Sequence, residues 1–130
     1  MMKSARFVLS LSPSVNECYS NVIKARRDGR RYTKRIASET LENFKQEAPF
    51  LMHQQGLIRG SWQGVKAVGY ELDIYMATSA SDGSNRLKAY EDAVSQYLGF
   101  DDRLIAEGHF KKAVDKHNPR IEGFWFTIEK

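Results

Sequence analysis

Residues 82–102 read DGSNRLKAYEDAVSQYLGFDD, and this stretch decides the architecture. Leu87, Tyr90, Val94, Tyr97 and Leu98 recur at three- and four-residue intervals, the spacing that lines up side chains along one stripe of an α-helix. A helix is predicted from about Asn85 to Leu98. Gly99 stands just past its end, where a glycine often closes a helix in the left-handed conformation. The opposite face carries Asn85, Lys88, Asp92 and Gln96. A helix with a single apolar stripe needs another layer to bury it, so the flanking sequence must supply that layer.

The flanks read as strands. Upstream, Val68, Tyr70, Leu72, Ile74 and Met76 alternate with more polar residues, the period-2 pattern of a β-strand, until SASDGSN interrupts it. Downstream, Leu104, Ala106, Gly108 and Phe110 alternate, then Phe124, Phe126 and Ile128, with a turn around His117, Asn118 and Pro119 between the two runs. At the start, Phe7, Leu9 and Leu11 alternate with Val8, Ser10 and Ser12 in a strand ended by Pro13. A loop containing Asn16 and Tyr19 follows. A first helix is expected from Thr33 to Glu47, where Ile36, Ala37, Thr40, Leu41 and Phe44 fall at helical spacing and Pro49 ends the pattern. Gly56, Gly60 and Gly64 punctuate a connector. The order strand, helix, strand, helix, strand, strand predicts an α+β fold: one mixed or antiparallel sheet covered by two helices.

With 130 residues, the chain is long enough for one core and too short for two, so residues 1–130 are read as one domain. Its 42% hydrophobic and 28% charged residues are those of a folding chain, and no repeat or low-complexity tract interrupts them. The start, MMKSARFVLSLSPS, has no apolar run of signal-peptide length, and no stretch is long enough to span a bilayer. A cytoplasmic protein without a membrane partner is expected. Cys18 is the single cysteine, which excludes an internal disulfide and a thiolate metal cluster, and it reads as a packed thiol. His53, His109 and His117 lack ligand spacing or a triad partner and read as structural or exposed. Trp62, Trp125 and the tyrosines read as core and contact residues.

The net charge is +4, and its placement says more than its size. Lys24, Arg26, Arg27, Arg30, Arg31, Lys34 and Arg35 crowd seven basic residues into twelve positions, against Asp28 alone. Such density attracts a polyanion, because each phosphate neutralised releases condensed counterions. A solvated surface that serves solubility is the other reading of the same run. Lys111, Lys112, Lys116 and Arg120 form a second, sparser basic group.

The acids bracket the second helix, with Asp82 before it and Asp101 and Asp102 after it. A helix of about 14 residues is roughly 20 Å long, so it holds these carboxylates apart unless the chain folds back or a partner chain supplies one set. Taken alone, Asp82 is an acid at a helix start, Asp101 and Asp102 are a polar turn, and Asp92 is an i,i+4 partner of Lys88.

A resemblance adds to this. The run Asp82, Gly83, Ser84, Asn85, Arg86, Leu87, Lys88, then Asp92, then Gly99, Phe100, Asp101 and Asp102, resembles the signature of the RusA family of Holliday junction resolvases. Leu11, Ser12, Pro13, Ser14, Val15 and Asn16, with Tyr19, resemble that family's N-terminal motif. The resemblance implies a magnesium-dependent endonuclease, with manganese as a substitute metal, that cuts four-way DNA junctions in recombination and repair and acts as a homodimer on DNA rather than on a small molecule. It implies Asp82, Asp101 and Asp102 as metal ligands and catalytic acids, and Lys88 as charge stabilisation at the scissile phosphate. Arg26, Arg27, Arg30, Arg31, Lys34, Arg35, Arg86 and Lys88 would then hold DNA, positioning it without reading its sequence. Proteins of this kind are often encoded by phages.

Ser84 departs from the pattern, standing where the family usually places a second aspartate. A hydroxyl is a weaker ligand than a carboxylate for a hard cation. Either the remaining acids suffice, or Glu91 or Asp73 substitutes, or cleavage is lost and a branched-DNA-binding protein remains. Ser84 also reads as the N-cap of the second helix, and Asn85 as a capping or loop-orienting residue. A nuclease for flaps, forks or RNA would need the same acids.

Overall fold

The computed structural model describes residues 2–14, 17–79 and 83–129, with 19–24 and 33–36 described by their backbone alone. The strands are β1 (Ser4–Ser10), β2 (Tyr19–Ala25), β3 (Arg31–Ala37), β4 (Ala67–Met76), β5 (Ile105–Val114) and β6 (Arg120–Ile128), and the helices are α1 (Glu39–Gln54) and α2 (Leu87–Leu98). Four strands form a mixed sheet in the order β1-β6-β4-β5, and β2 and β3 pair with each other as a separate ribbon. β6 runs antiparallel to both β1 and β4, while β4 and β5 are parallel. A parallel pair needs a crossover connection, and α2 is that crossover. The fold is α+β, with the expected order of main-sheet strands and helices.

The alternation in β4 explains how the layers stack. Val68, Leu72, Ile74 and Met76 are buried together with Tyr70, while Glu71 and Asp73 between them face solvent. Inward residues of β1 and β6, Phe7, Leu9, Ile121 and Trp125, join the same core. From the helices come Leu41, Phe44, Ala48 and Met52 of α1 and Tyr90, Val94, Tyr97 and Leu98 of α2. The core thus lies between one face of the sheet and the two helices. Inside it Trp125 Nε1 donates to Tyr90 Oη at 3.0 Å, so a buried indole N–H meets a buried hydroxyl. Trp62, Trp125 and Cys18 are buried, as the sequence suggests, and His53, His109 and His117 are exposed.

Two expectations are corrected. Residues 33–37, read as the start of the first helix, belong to β3, and the helix begins after Ser38, whose hydroxyl accepts from Leu41 N at 3.1 Å. Ser38 is the better start because its side chain satisfies an N–H that the first helical turn leaves open, whereas 33–37 find their partners across the ribbon. Pro49 does not end α1 but lies inside it. It forfeits one helical hydrogen bond, yet the turns beyond it bury Met52 and half-bury Leu51, and that burial carries the helix on.

The connector from 55 to 66 closes the far end of α2. Gly60 N and Trp62 N donate to the Tyr97 and Leu98 carbonyls at 2.8 and 2.9 Å, two of the acceptors that a helix end leaves unpaired. Gly99 follows at φ +89°, and a Cβ there would lie 3.0 Å from Gly60 Cα. The predicted glycine stop is therefore required both by its conformation and by the closeness of the connector. Among the described residues no helix is long and apolar enough to cross a membrane, which says nothing of a β-barrel.

Candidate functional site

Lys88, Asp92 and Asp102 converge on the exposed side of α2. Lys88 and Asp92 are one turn apart, and Nζ lies 3.0 Å from Asp92 Oδ1. Asp102 arrives from the other side. After the left-handed turn at Gly99 the chain doubles back through a 3-10 turn, Asp102–Leu104, and Asp102 Oδ2 comes to 3.5 Å from the same ammonium. α2 is 12 residues and about 18 Å long, and the lysine side chain and the reversal span it from both ends; the expected separation of Asp82 from Asp101 and Asp102 lies outside the described residues. The hydrogen bond that Lys88 donates to Asp92, and the charge of that carboxylate, hold the Lys88 ammonium above its ordinary pKa, and Asp102 adds to this.

Asp101 is differently occupied. Its carboxylate caps the 3-10 turn, accepting from Arg103 N at 2.9 Å, and pairs with the Arg103 guanidinium at 3.0 Å. That backbone bond and the arginine hold its pKa below the usual carboxylate value. Asp82 lies outside the described residues. Magnesium takes one or two carboxylates and keeps several waters, and the side chain of Asp102, 39% exposed, is open enough to offer one. Among the described residues no three His, Cys, Asp or Glu groups are placed to share an ion.

Glu91 and Asp73, the two candidate substitutes for the missing aspartate, do not join Asp102. Glu91 accepts the Tyr70 hydroxyl at 2.7 Å, turned toward the sheet. Asp73 lies on the open face, across from Lys111 and Glu122, so the sheet separates it from α2. Ser84 and Asn85 lie in a 3-10 turn, Gly83–Arg86, that leads into α2. The N-cap residue of α2 is Arg86, without a side-chain cap, so Ser84 does not cap this helix.

Arg86 is bound inside the protein. Its guanidinium donates to the Ser12 carbonyl at 2.8 Å and pairs with Glu17 at 3.3 Å, and its side chain is only 15% exposed. In return Ser12 Oγ donates to the Arg86 carbonyl at 2.7 Å. The segment Leu11–Ser14 is thereby fastened to the entry of α2, which joins the two motif regions; Val15 and Asn16 lie outside the described residues, as does the side chain of Tyr19.

The basic run forms the tip of the β2–β3 ribbon. Arg26 N donates to the Arg30 carbonyl at 2.7 Å, and Gly29, at φ +86°, makes the turn. The Arg26, Arg27, Arg30 and Arg31 side chains are all exposed, with Arg26 stacked over Tyr32 at 5.2 Å and Arg30 paired with Asp28 at 3.7 Å. The side chains of Lys24, Lys34 and Arg35 lie outside the described set. The second basic group is divided: Arg120 is held by Asp115 and Glu122, both at 2.7 Å, while Lys111 and Lys112 point to opposite faces of β5.

Two concavities lie on either side of the sheet. One, about 160 Å³, lies between α1 and α2 beside the cluster, with Cys18, Leu41 and Tyr97 in its wall and Lys45, Arg59 and Lys88 about it. The other, about 700 Å³, lies on the open face of the sheet among Arg6, Glu71, Asp73, Glu122 and Phe124. Of the acids on this second surface the sequence reading singled out only Asp73; Glu71 and Glu122 escaped it, although their signal was present as the outward positions of β4 and β6.

No protein-family model matches the chain, and no curated protein matches it. Among solved structures it is similar to 2C-methyl-D-erythritol 2,4-cyclodiphosphate synthase from Plasmodium vivax, at 11% identity over 100% of this chain and 99% of that one, with a TM-score of 0.35. At that score the likeness carries no argument.

Proposed function

We propose that the protein is a metal-dependent, structure-selective endonuclease that cuts branched DNA, four-way junctions first among its substrates. The observation that carries this reading is the convergence of Lys88 and Asp102 at 3.5 Å, two motif positions 14 residues apart. Asp102, with Asp82, would hold magnesium, which supplies Lewis acidity and a water made nucleophilic near neutral pH. Lys88 provides a permanent cation beside that carboxylate, suited to the charge that builds on a phosphate under attack. The ribbon with Arg26, Arg27, Arg30 and Arg31 at its tip has the form of a two-stranded element, which the major groove admits, and its exposed guanidinium groups suit phosphates. A homodimer would set two such sites against opposing strands.

A second reading, a branched-DNA-binding protein without cleavage, is favoured by Ser84 at the position of an expected carboxylate. One experiment separates the two. Purified protein is incubated with a labelled four-way junction and with a matched linear duplex, in magnesium or EDTA, beside Asp102→Asn. Paired nicks in the junction alone, lost with EDTA and in the variant, support the nuclease. Retention of the junction in a gel shift with no product under any metal condition supports the binder, and equal affinity for junction and duplex sinks both.

A further inference from the structure

The two edges of the sheet are not alike. On β1 the free edge is occupied: Gln55, at the end of α1, accepts from Val8 N and donates to Val8 O through its amide, each at 2.7 Å, filling the places another strand would take. β5, at the opposite edge, is ten residues long, pairs among the described residues with β4 alone, and is exposed from Ala106 to Val114. A long bare edge of this kind is a template for strand addition.

The sequence of β5 fits a second copy of itself. Gly108 lies opposite Tyr70 on the helix side, which puts Glu107, His109 and Lys111 on the open face, opposite Gly69, Glu71 and Asp73. If two β5 strands pair antiparallel about a two-fold axis perpendicular to the sheet, each residue must meet one from its own face, so the axis must pass through a residue. With the axis at His109, Glu107 faces the partner's Lys111, and by symmetry this happens twice. Gly108, which lacks a side chain because a Cβ would lie 2.4 Å from the Tyr70 ring, faces the partner's Phe110, which is 37% exposed. An aromatic residue across from a strand glycine covers the gap it leaves. Moving the axis to Phe110 sets Glu107 against alanine and His109 against lysine. Moving it to Gly108 removes the lysine from Glu107.

We infer that two copies of this chain join through their β5 edges, in the His109-centred register, into a continuous eight-stranded sheet. The inference gives a surface to the dimer that the junction reading asks for, but it rests on the edge strand, and its test reads mass rather than cleavage. Sedimentation equilibrium of the full chain should find a dimer. Glu107→Lys and Lys111→Glu, each placing like charges opposite one another twice, should each weaken association about tenfold, and the double variant should restore it. His109→Cys should form a disulfide-linked dimer on oxidation, with the buried Cys18 taking no part. All three sites are exposed, and thermal melting verifies that the variants fold. A monomer at every concentration, a dimer unmoved by either reversal, or a double variant as weak as the singles overturns the proposal.

Discussion

Lys88 Nζ stands between two carboxylates, 3.0 Å from Asp92 on its own helix and 3.5 Å from Asp102, which the reversal at Gly99 brings back. The first contact is a helical ion pair; the second exists only because the chain reverses. Both are exposed, and exposed ion pairs contribute little to folding, about 0.2–1 kcal/mol. Stability alone therefore gives Lys88 little to do.

That contrast makes a prediction. Lys88→Met should change the free energy of unfolding by less than about 1 kcal/mol, yet lower single-turnover cleavage of a junction by about 10²-fold, the scale seen when one charge-stabilising group is removed. Asp92→Asn should be much milder, since Asp102 still holds the lysine. If Lys88→Met cuts at the wild-type rate, the lysine has no part in the chemistry.

Arg86 and Arg27 should separate in the opposite sense. Arg86→Ala takes the guanidinium donor from the Ser12 carbonyl at a part-buried site and the ion pair from Glu17, at a cost of about 1–3 kcal/mol in urea unfolding. Arg27→Ala, fully at the surface, should leave unfolding unchanged and lower the salt dependence of DNA affinity by about one unit of slope. Equal effects of both on DNA affinity, with neither affecting stability, would return Arg86 to the DNA contacts.

These two arginines also mark what the sequence could and could not disclose. The stripe of Leu87, Tyr90, Val94, Tyr97 and Leu98 was legible because burial against a sheet imposes helical periodicity on one element. The i,i+4 pair of Lys88 and Asp92 was legible for the same reason. The ribbon was not, because its basic residues follow no period and Ile36, Ala37, Thr40, Leu41 and Phe44 keep helical spacing straight through the Ser38 cap. Arg86 looked like its basic neighbours, since only the tertiary approach of Ser12 decides that it turns inward. Asp102 could be placed beside Lys88 only by knowing where the chain goes after Gly99.

The turn between β5 and β6 carries a pH-dependent contribution. Arg120 lies 2.7 Å from Asp115, and its bond holds the Asp115 carboxyl below its ordinary value of 3.8. A group lowered in the folded state stabilises the fold at pH above its unfolded value and loses that contribution as pH falls through the folded one. Asp115→Asn should therefore unfold more easily than wild type at neutral pH, with the difference shrinking below about pH 4. A difference that stays constant down to pH 2 would assign the effect to something other than this ionisation.

In the core, Tyr90→Phe removes only the hydroxyl that receives the Trp125 N–H at 3.0 Å, at a site where both residues are 0% exposed. The indole N–H is then buried without an acceptor, which costs about 1–3 kcal/mol. Trp125→Phe in the same background should show strong coupling, because the second substitution removes the orphaned donor. Additive losses would mean that the hydrogen bond contributes nothing beyond packing.

Gln55 offers the sharpest test of why one edge of the sheet associates and the other does not. Its amide occupies Val8 N and Val8 O on β1 and also donates to the Leu51 carbonyl at 3.0 Å, so the plug is held by its own helix. Gln55→Ala removes the plug and leaves both edges of each sheet open. A closed dimer has no further free edge only while β1 is blocked; with β1 uncovered, dimers can add to one another along the hydrogen-bonding direction, as head-to-tail contacts do when they fail to close. Light scattering of Gln55→Ala should therefore rise with concentration beyond the dimer, and Gln55→Ala with Glu107→Lys should suppress that rise by weakening the β5 joint. If Gln55→Ala remains a dimer at every concentration, the glutamine is a stabilising contact and not the reason the β1 edge stays unpaired.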